Sequence, residues 1–295
     1  MFFARFFLSG SFLLGYNVRL ILFRPSIGMS NNYFVNGIKD VCASFSRGAL
    51  VGTLGWQDVR QRYRRSALGP FWLTISMAIM IASIGVIFGK IFKSPVEQFF
   101  PFVTLGLILW GFISTVITEG CLGFVSAEGI IKQLAIPLPV HILRMMWRNA
   151  IIFAHNLIIF PIVLLLFQKP LGFEALFGIL GFAILLANLF WISLLLGILC
   201  TRYRDIPQIV NSVIQVFFYL TPIMWLPSMF SDKPEGVILL ALNPFYHFIE
   251  IVRAPLIGDM PTVLNWIVSC GFVIVGWLVT LCIYGKYRAR IAYWL

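Results

Sequence analysis

Six stretches of this sequence contain no Asp, Glu, Lys or Arg, and each is about as long as a lipid bilayer is thick. They are 71–89, 99–118, 149–168, 175–201, 206–231 and 260–285. An α-helix rises about 1.5 Å per residue, so roughly 20 apolar residues cross the hydrocarbon. Lipid offers a backbone no hydrogen-bonding partner, so each run must satisfy its own polar groups as a helix. Composition agrees. The sequence is 60% hydrophobic and 11% charged, whereas a soluble domain carries roughly 25% charged residues. Mean hydropathy is +0.94. The expected fold is an all-α integral membrane protein with six transmembrane helices.

A seventh apolar run, 236–249, is too short to span and is broken by Asn243-Pro244, because proline removes a helix donor and disfavours helix in the residue before it. Residues 228–259 are therefore expected to form a re-entrant hairpin of short helices at the outer face. Irregular backbone is tolerated at that depth only inside protein or beside water. The other reading is a surface loop carrying an apolar helix. Basic residues set the orientation. One side holds Lys39, Arg47, Arg60, Arg62, Arg64, Arg65, Lys132, Arg144, Arg148, Arg202, Arg204, Lys286, Arg288 and Arg290; the other holds Lys90, Lys93, Lys169, Lys233 and Arg253. The richer side is cytoplasmic, which puts both termini in the cytoplasm. A seventh span would carry the basic C-terminal tail outside, against the same rule.

Residues 1–28 are expected to be an over-called N-terminal extension. Arg5, Arg19 and Arg24 surround an apolar stretch of signal-core length, no Ala-x-Ala-like cleavage site follows, and Met29 offers a start. Residues 29–66 are expected to be a cytoplasmic interfacial segment, with Val41, Phe45, Leu50, Leu54 and Val59 mixed among Lys39, Arg47, Arg60 and Arg62. Such segments lie along the membrane lipids, their basic residues among anionic headgroups. A transmembrane domain then fills 67–290, leaving 291–295 as a cytoplasmic tail. Arg62, Tyr63, Arg64 and Arg65 anchor the approach to the first span, and Arg202, Arg204 and Asp205 anchor the turn after the fourth.

Several functions are disfavoured. A net charge of +11 suggests nucleic acid in a soluble protein, but here it follows from the cytoplasmic concentration of Lys and Arg. The five cysteines form no Cys-x-x-Cys pair, so neither a disulfide framework nor a metal site is indicated. No Gly-x4-Gly-Lys-Ser/Thr sequence occurs, so nucleotide hydrolysis is not expected of this chain. The span centres carry no carboxylate or basic group for an ion relay. His155 is the one ionisable group near mid-span, and it reads better as a hydrogen-bonded packing residue. Glu119, Glu128, Glu250 and Asp259 read as helix-end or loop charges. Aromatic content is high, with 29 Phe, 9 Trp and 9 Tyr. Phe112, Phe217, Phe218, Tyr219, Trp225, Tyr246 and Phe248 are candidates for a path or gate, since aromatic faces attract sugar C–H bonds without fixing them; for any one of them ordinary packing is the simpler role. Gly85 and Gly89 form a small-xxx-small pair, suited to helix packing within one subunit or between two.

The sequence resembles a known family in five ordered motifs. They are 62–72 (RYRRSALGPFW), 131–137 (IKQLAIP), 202–205 (RYRD), 219–223 (YLTPI) and 243–246 (NPFY). Together they resemble the ABC-2 type polysaccharide-export permeases, and Glu250-Ile251-Val252-Arg253-Ala254-Pro255 is similar to the O-antigen branch. The resemblance implies a half-channel that works as a homodimer with two copies of a separate ATPase, which binds ATP and Mg; no cofactor is bound by this chain. The implied cargo is a lipid-linked polysaccharide. It also implies a coupling helix within 126–140, where Glu128 and Lys132 lie one turn apart and can pair. Pro137 there is followed by Leu138 and Pro139, where many relatives have a basic residue. The hairpin 228–259 takes the role of a periplasmic gate. Two other readings stay open: an ABC-2 type drug or lipid efflux permease, and a membrane enzyme, polymerase or ligase, acting on lipid-linked sugars.

Overall fold

The apolar runs fold largely as helices in the computed structural model, which describes residues 33–64, 69, 71–92, 95–229 and 234–295. The expectations for 1–28 and for Arg65 lie outside the described residues. Two helices, α1 (Tyr33–Phe45) and α2 (Gly48–Tyr63), precede α3 (Phe71–Ile91) and α4 (Val96–Cys121). A short α5 (Glu128–Gln133) leads to α6 (Pro139–Leu157), continued by α7 (Ile159–Leu166). Then come α8 (Ala175–Arg202), α9 (Ile206–Leu220), α10 (Pro234–Leu242), α11 (Pro244–Ile257) and α12 (Val263–Trp294). Among the described residues, five helices are long and apolar enough to cross a membrane: α3, α4, α6 with α7, α8, and α12.

The fifth run departs from expectation. It was expected to be helical across 206–231, but its helix stops at Leu220. Thr221, which precedes Pro222, is extended at φ −90° and ψ 135°, as steric conflict with the proline ring requires. The backbone continues irregularly to a short 3₁₀ turn at Pro227–Met229. Beyond it, α10 and α11 meet at an angle of 86°. Helix ends also reach past the charge-free runs: α6 starts early enough to include Arg144 and Arg148, and α12 continues through Lys286, Arg288 and Arg290.

The long helices alternate in direction, so the molecule has a basic end, where α3 begins and α4 and α12 finish, and a far end that holds α10 and α11. Of the candidate spans α4 is the most buried and α3 the least. Small residues let the backbones approach closely. A Cβ at Gly181 of α8 would collide with the Ile251 carbonyl of α11, and one at Gly285 of α12 with the backbone of Tyr33 in α1. Gly85 and Gly89 press α3 onto Phe100 and Phe99 of α4, within the one chain. Polar side chains add specific ties: Asn188 of α8 donates to the Ser269 carbonyl of α12 at 3.1 Å. Asp40 of α1 accepts from Tyr284 at 2.9 Å and Arg288 at 2.8 Å. His155 behaves as a packing residue, its Nδ1 2.7 Å from the Ile151 carbonyl and its ring edge-on to Phe71.

Gly181→Leu is expected to force α8 off α11 and cost about 3 kcal/mol, as overpacking against rigid backbone does. The thermal midpoint of the detergent-purified protein measures this, and an unchanged midpoint contradicts the assigned packing.

Candidate functional site

Charge gathers at the basic end, where the charge-free runs stop. Glu119, in the last turn of α4, accepts from Arg148 of α6 at 2.5 Å, from the Asn149 amide at 2.5 Å and from Arg62 of α2 at 3.0 Å. Asp58 of α2 takes both Nε and Nη2 of Arg144, and Arg148 Nη1 lies 3.6 Å away. Two carboxylates thus hold three guanidinium groups and fasten α2, α4 and α6 to one another. Bidentate, partly buried pairs of this kind are worth more than exposed ones. Arg62 therefore sits within this lattice. Tyr63 follows it, and burial pushes the Tyr63 phenol above its ordinary 10.0 against the pull of Arg62. Arg64 caps α2.

Between α4 and α6 hangs α5. Its Lys132 donates to Glu128 at 2.6 Å, and both side chains are exposed. That hydrogen bond first, and the Lys132 charge second, hold the Glu128 carboxyl below its ordinary range. Pro137 closes the segment, its carbonyl accepting from Val140 at 3.1 Å as α6 starts. At the same end the Arg202 guanidinium lies over the rings of Tyr203 and Trp294, at 5.2 and 5.3 Å. Arg204 and Asp205 stand exposed in the turn between α8 and α9.

The far end holds a second polar knot. Arg253 of α11 is fully buried. Its Nε and Nη2 donate to Glu250 at 3.0 and 2.8 Å, its Nη1 donates to the Pro222 carbonyl at 2.7 Å, and its guanidinium lies 3.7 Å from the centre of the Phe102 ring. Gly106 lets α4 approach this corner, since a Cβ there would sit 3.1 Å from the Ile223 carbonyl and 3.4 Å from Arg253 Nη1. Asn243 caps α11 by accepting from the amides of Phe245 and Tyr246, with Pro244 in the first turn. Its own amide donates to Thr221 at 2.9 Å. The Thr-Pro and Asn-Pro motifs, some twenty residues apart in sequence, therefore close on each other. His247 is held between Asn265 of α12 at 2.7 Å and the Ala241 carbonyl at 3.0 Å. Gly258, at φ 92°, ends α11 in the left-handed conformation that glycine adopts without strain.

The candidate aromatics separate into two groups. Tyr219, 62% exposed, and Trp225 line an outer cavity of about 410 Å³ with Phe92, Met229 and Leu239, and Trp225 donates to the Tyr219 carbonyl. Phe217 and Phe218 flank it, their rings against Phe245 and Trp110. Phe112 and Phe248 are buried; Phe112 packs on Phe153 and Phe182, and Phe248 on Phe272. Tyr246 is half-buried beside His247.

Sequence reasoning missed Asp58, Glu119, His141, Arg144 and Arg148 as a group. The available signal was the i, i+4 spacing of Arg144 and Arg148, which aligns both on one face of a helix.

An all-helical bundle of apolar helices with charge confined to its ends belongs to a recognisable class. Residues 49–257 match the model of the ABC-2 type transporter family, and the chain belongs to that family. It is similar to an O-antigen export system permease protein RfbA of Myxococcus xanthus, 24% identical over 214 residues, covering 70% of this chain and 80% of that one. A protein of the same name from Klebsiella pneumoniae is 25% identical over 240 residues, covering 80% of this chain and 91% of the relative.

Arg253→Met leaves Glu250 and the Pro222 carbonyl without their partner and is expected to cost about 3 kcal/mol, the scale for halving a buried ion pair. Adding Glu250→Gln removes the stranded carboxylate and restores part of the loss. Thermal unfolding of the single and double variants is the measurement; additive losses contradict the pairing.

Proposed function

We propose that this chain is the membrane subunit of an exporter that moves a lipid-linked polysaccharide from the cytoplasmic to the periplasmic side of the bacterial inner membrane. Two copies form the path, and two copies of a separate ATPase, binding ATP and Mg, supply the work. The observation that carries this reading is the match to permeases named for O-antigen export along 80% of the chain. In this reading 29–66 lies at the cytoplasmic interface, 67–290 is the transmembrane domain, and both termini are cytoplasmic. The shortened α9, together with the irregular segment after it, makes the sixth crossing, and α10 with α11 forms a re-entrant periplasmic hairpin that gates the exit.

Three features support the assembly. The apolar faces of α3 and α9 are exposed, with Ile79, Val86, Ile209 and Val216 uncovered, as a helix facing a second copy requires. The exposed α5 presents Glu128 and Lys132 at the basic end, where an ATPase can push on α4 and α6 at once. Tyr219 and Trp225 offer ring faces at the far end, on which a sugar polymer can slide.

Deleting the gene is expected to leave lipid-linked polysaccharide inside the cell and none on the surface, read by immunoblot of separated membranes and surface labelling. Intact surface glycan with lost resistance to a hydrophobic compound points to drug or lipid efflux instead. Glu128→Arg, which breaks the exposed α5 pair without touching the buried lattice, is expected to leave ATP hydrolysis by the reconstituted complex in place and to lower export at least about tenfold. Export at the wild-type rate sinks the coupling role.

A further inference from the structure

The ion lattice at the basic end encloses an open cleft of about 370 Å³, lined by Asp58, Arg62, Glu119, His141, Arg144 and Arg148. Three guanidinium groups face two carboxylates across it, so the wall keeps an excess positive charge. The pairs also leave donors over. Arg148 Nε is buried without a partner, and His141, only 3% exposed, has neither ring nitrogen bonded. Buried polar groups are nearly always paired, and one left alone is costly. A ligand with several oxygen acceptors and negative charge matches both leftover groups and the excess charge. Phosphate esters fit that description, and arginine is the side chain best shaped to hold them.

A second cleft, of about 400 Å³, begins at the same Arg62 and runs between α3, α4 and α6. Asn149, which donates to Glu119, stands where the two meet. Past that point the walls are mostly apolar, with Leu73, Met77, Met80, Ile108 and Phe153 among them and Ser76, Thr115 and Asn156 as the polar exceptions. From Leu73 to Met80 the groove follows α3 for roughly 10 Å. Methionine walls adapt to a flexible chain.

We infer that the two clefts are one bipartite site for an anionic lipid. Its phosphate or diphosphate end lies among Arg62, Arg148 and His141, and the first part of its chain lies in the groove beside Met77 and Met80. Charge at one end and apolar walls along the rest select a molecule built the same way, and exclude free sugar, which lacks the charge, and free hydrocarbon, which lacks the acceptors. Two sources share this chemistry, the lipid end of an exported conjugate and an ordinary membrane phospholipid; assignment to the conjugate rests on the exporter reading above.

The full-length chain in phosphatidylcholine nanodiscs, titrated calorimetrically with inorganic pyrophosphate, farnesyl diphosphate and farnesol, tests the site. Farnesyl diphosphate is expected to bind at least about tenfold more tightly than pyrophosphate, with farnesol weaker than either. His141→Ala and Ser126→Asp are each expected to weaken farnesyl diphosphate about tenfold. Ser126 lies on the cleft wall outside the ion lattice, so its variant keeps the test open if the His141 variant fails to fold. Met80→Trp fills the groove and is expected to abolish the advantage of farnesyl diphosphate while pyrophosphate still binds. Displacement of farnesyl diphosphate by added phosphatidylglycerol assigns the site to membrane phospholipid; resistance to displacement assigns it to a lipid-linked diphosphate. Absence of saturable farnesyl diphosphate binding, or equal affinity in both cleft variants when they melt like the wild type, overturns the site. Surface glycan is read separately in cells: wild-type export with binding lost in Ser126→Asp overturns the cleft's part in transport and leaves the exporter reading standing, whereas binding intact with no glycan defect on deletion sinks the exporter reading alone.

Discussion

Inside hydrocarbon a helix can stop only where something else satisfies the backbone groups it releases. The apolar helix α9 stops at Leu220, and the Arg253 guanidinium satisfies one of the groups beyond it by donating to the Pro222 carbonyl. The rest of the far end follows from the cost of keeping that cation dry. Glu250 neutralises it, the Phe102 ring covers it and Gly106 lets α4 approach it. Asn243 then joins the start of α11 to Thr221. The irregular stretch becomes a fixed corner because α4 and the segment at Pro222 both meet one side chain of α11.

The basic end solves the opposite problem, holding many charges beside a bilayer without leaving them in it. Glu119 of α4 and Arg144 and Arg148 of α6 stand in the turns nearest that end, where Asp58 and Glu119 gather Arg62, Arg144 and Arg148. Between the two polar knots the helix centres carry no charge and pack closely at glycines such as Gly111, against Met77, and Gly276, against Trp191. The lattice thus ties α2, α4 and α6 together beside the exposed α5, which is where the proposed coupling to an ATPase would act.

Much of this architecture was legible in the sequence because the bilayer imposes a length and forbids charge, and both can be read residue by residue. The apolar runs 71–89, 99–118, 175–201 and 260–285 correspond to α3, α4, α8 and α12, with small displacements at most ends and a longer overrun at the end of α12, which continues to Trp294. The displacement has one cause: a run ends at its first charge, whereas a helix continues until its backbone is capped. For that reason Arg144 and Arg148 looked like loop residues although they lie on α6. The run 206–231 failed as a single helix because hydropathy does not register the restriction that Pro222 places on Thr221. Arg253 was counted simply as a charge of the outer side, yet it is fully buried; Glu250 lies at i, i+3 from it, but Phe102 and Pro222 are distant in sequence and no local pattern brings them to it. The ion lattice escaped for the same reason, being assembled from three segments. The aromatic candidates were chosen by residue type alone, and type does not distinguish the buried Phe112 and Phe248 from the exposed Tyr219.

The placement of Arg253 late in the chain also bears on how the protein is made. Phe102, Gly106 and Pro222 all emerge from the ribosome before it, and Glu250 precedes it by three residues, within one turn of the same helix. The counter-ion of Arg253 is therefore built into the same helix turn, so α11 carries its cation already neutralised by its own neighbour, whereas the ring and carbonyl that cover it belong to segments made earlier.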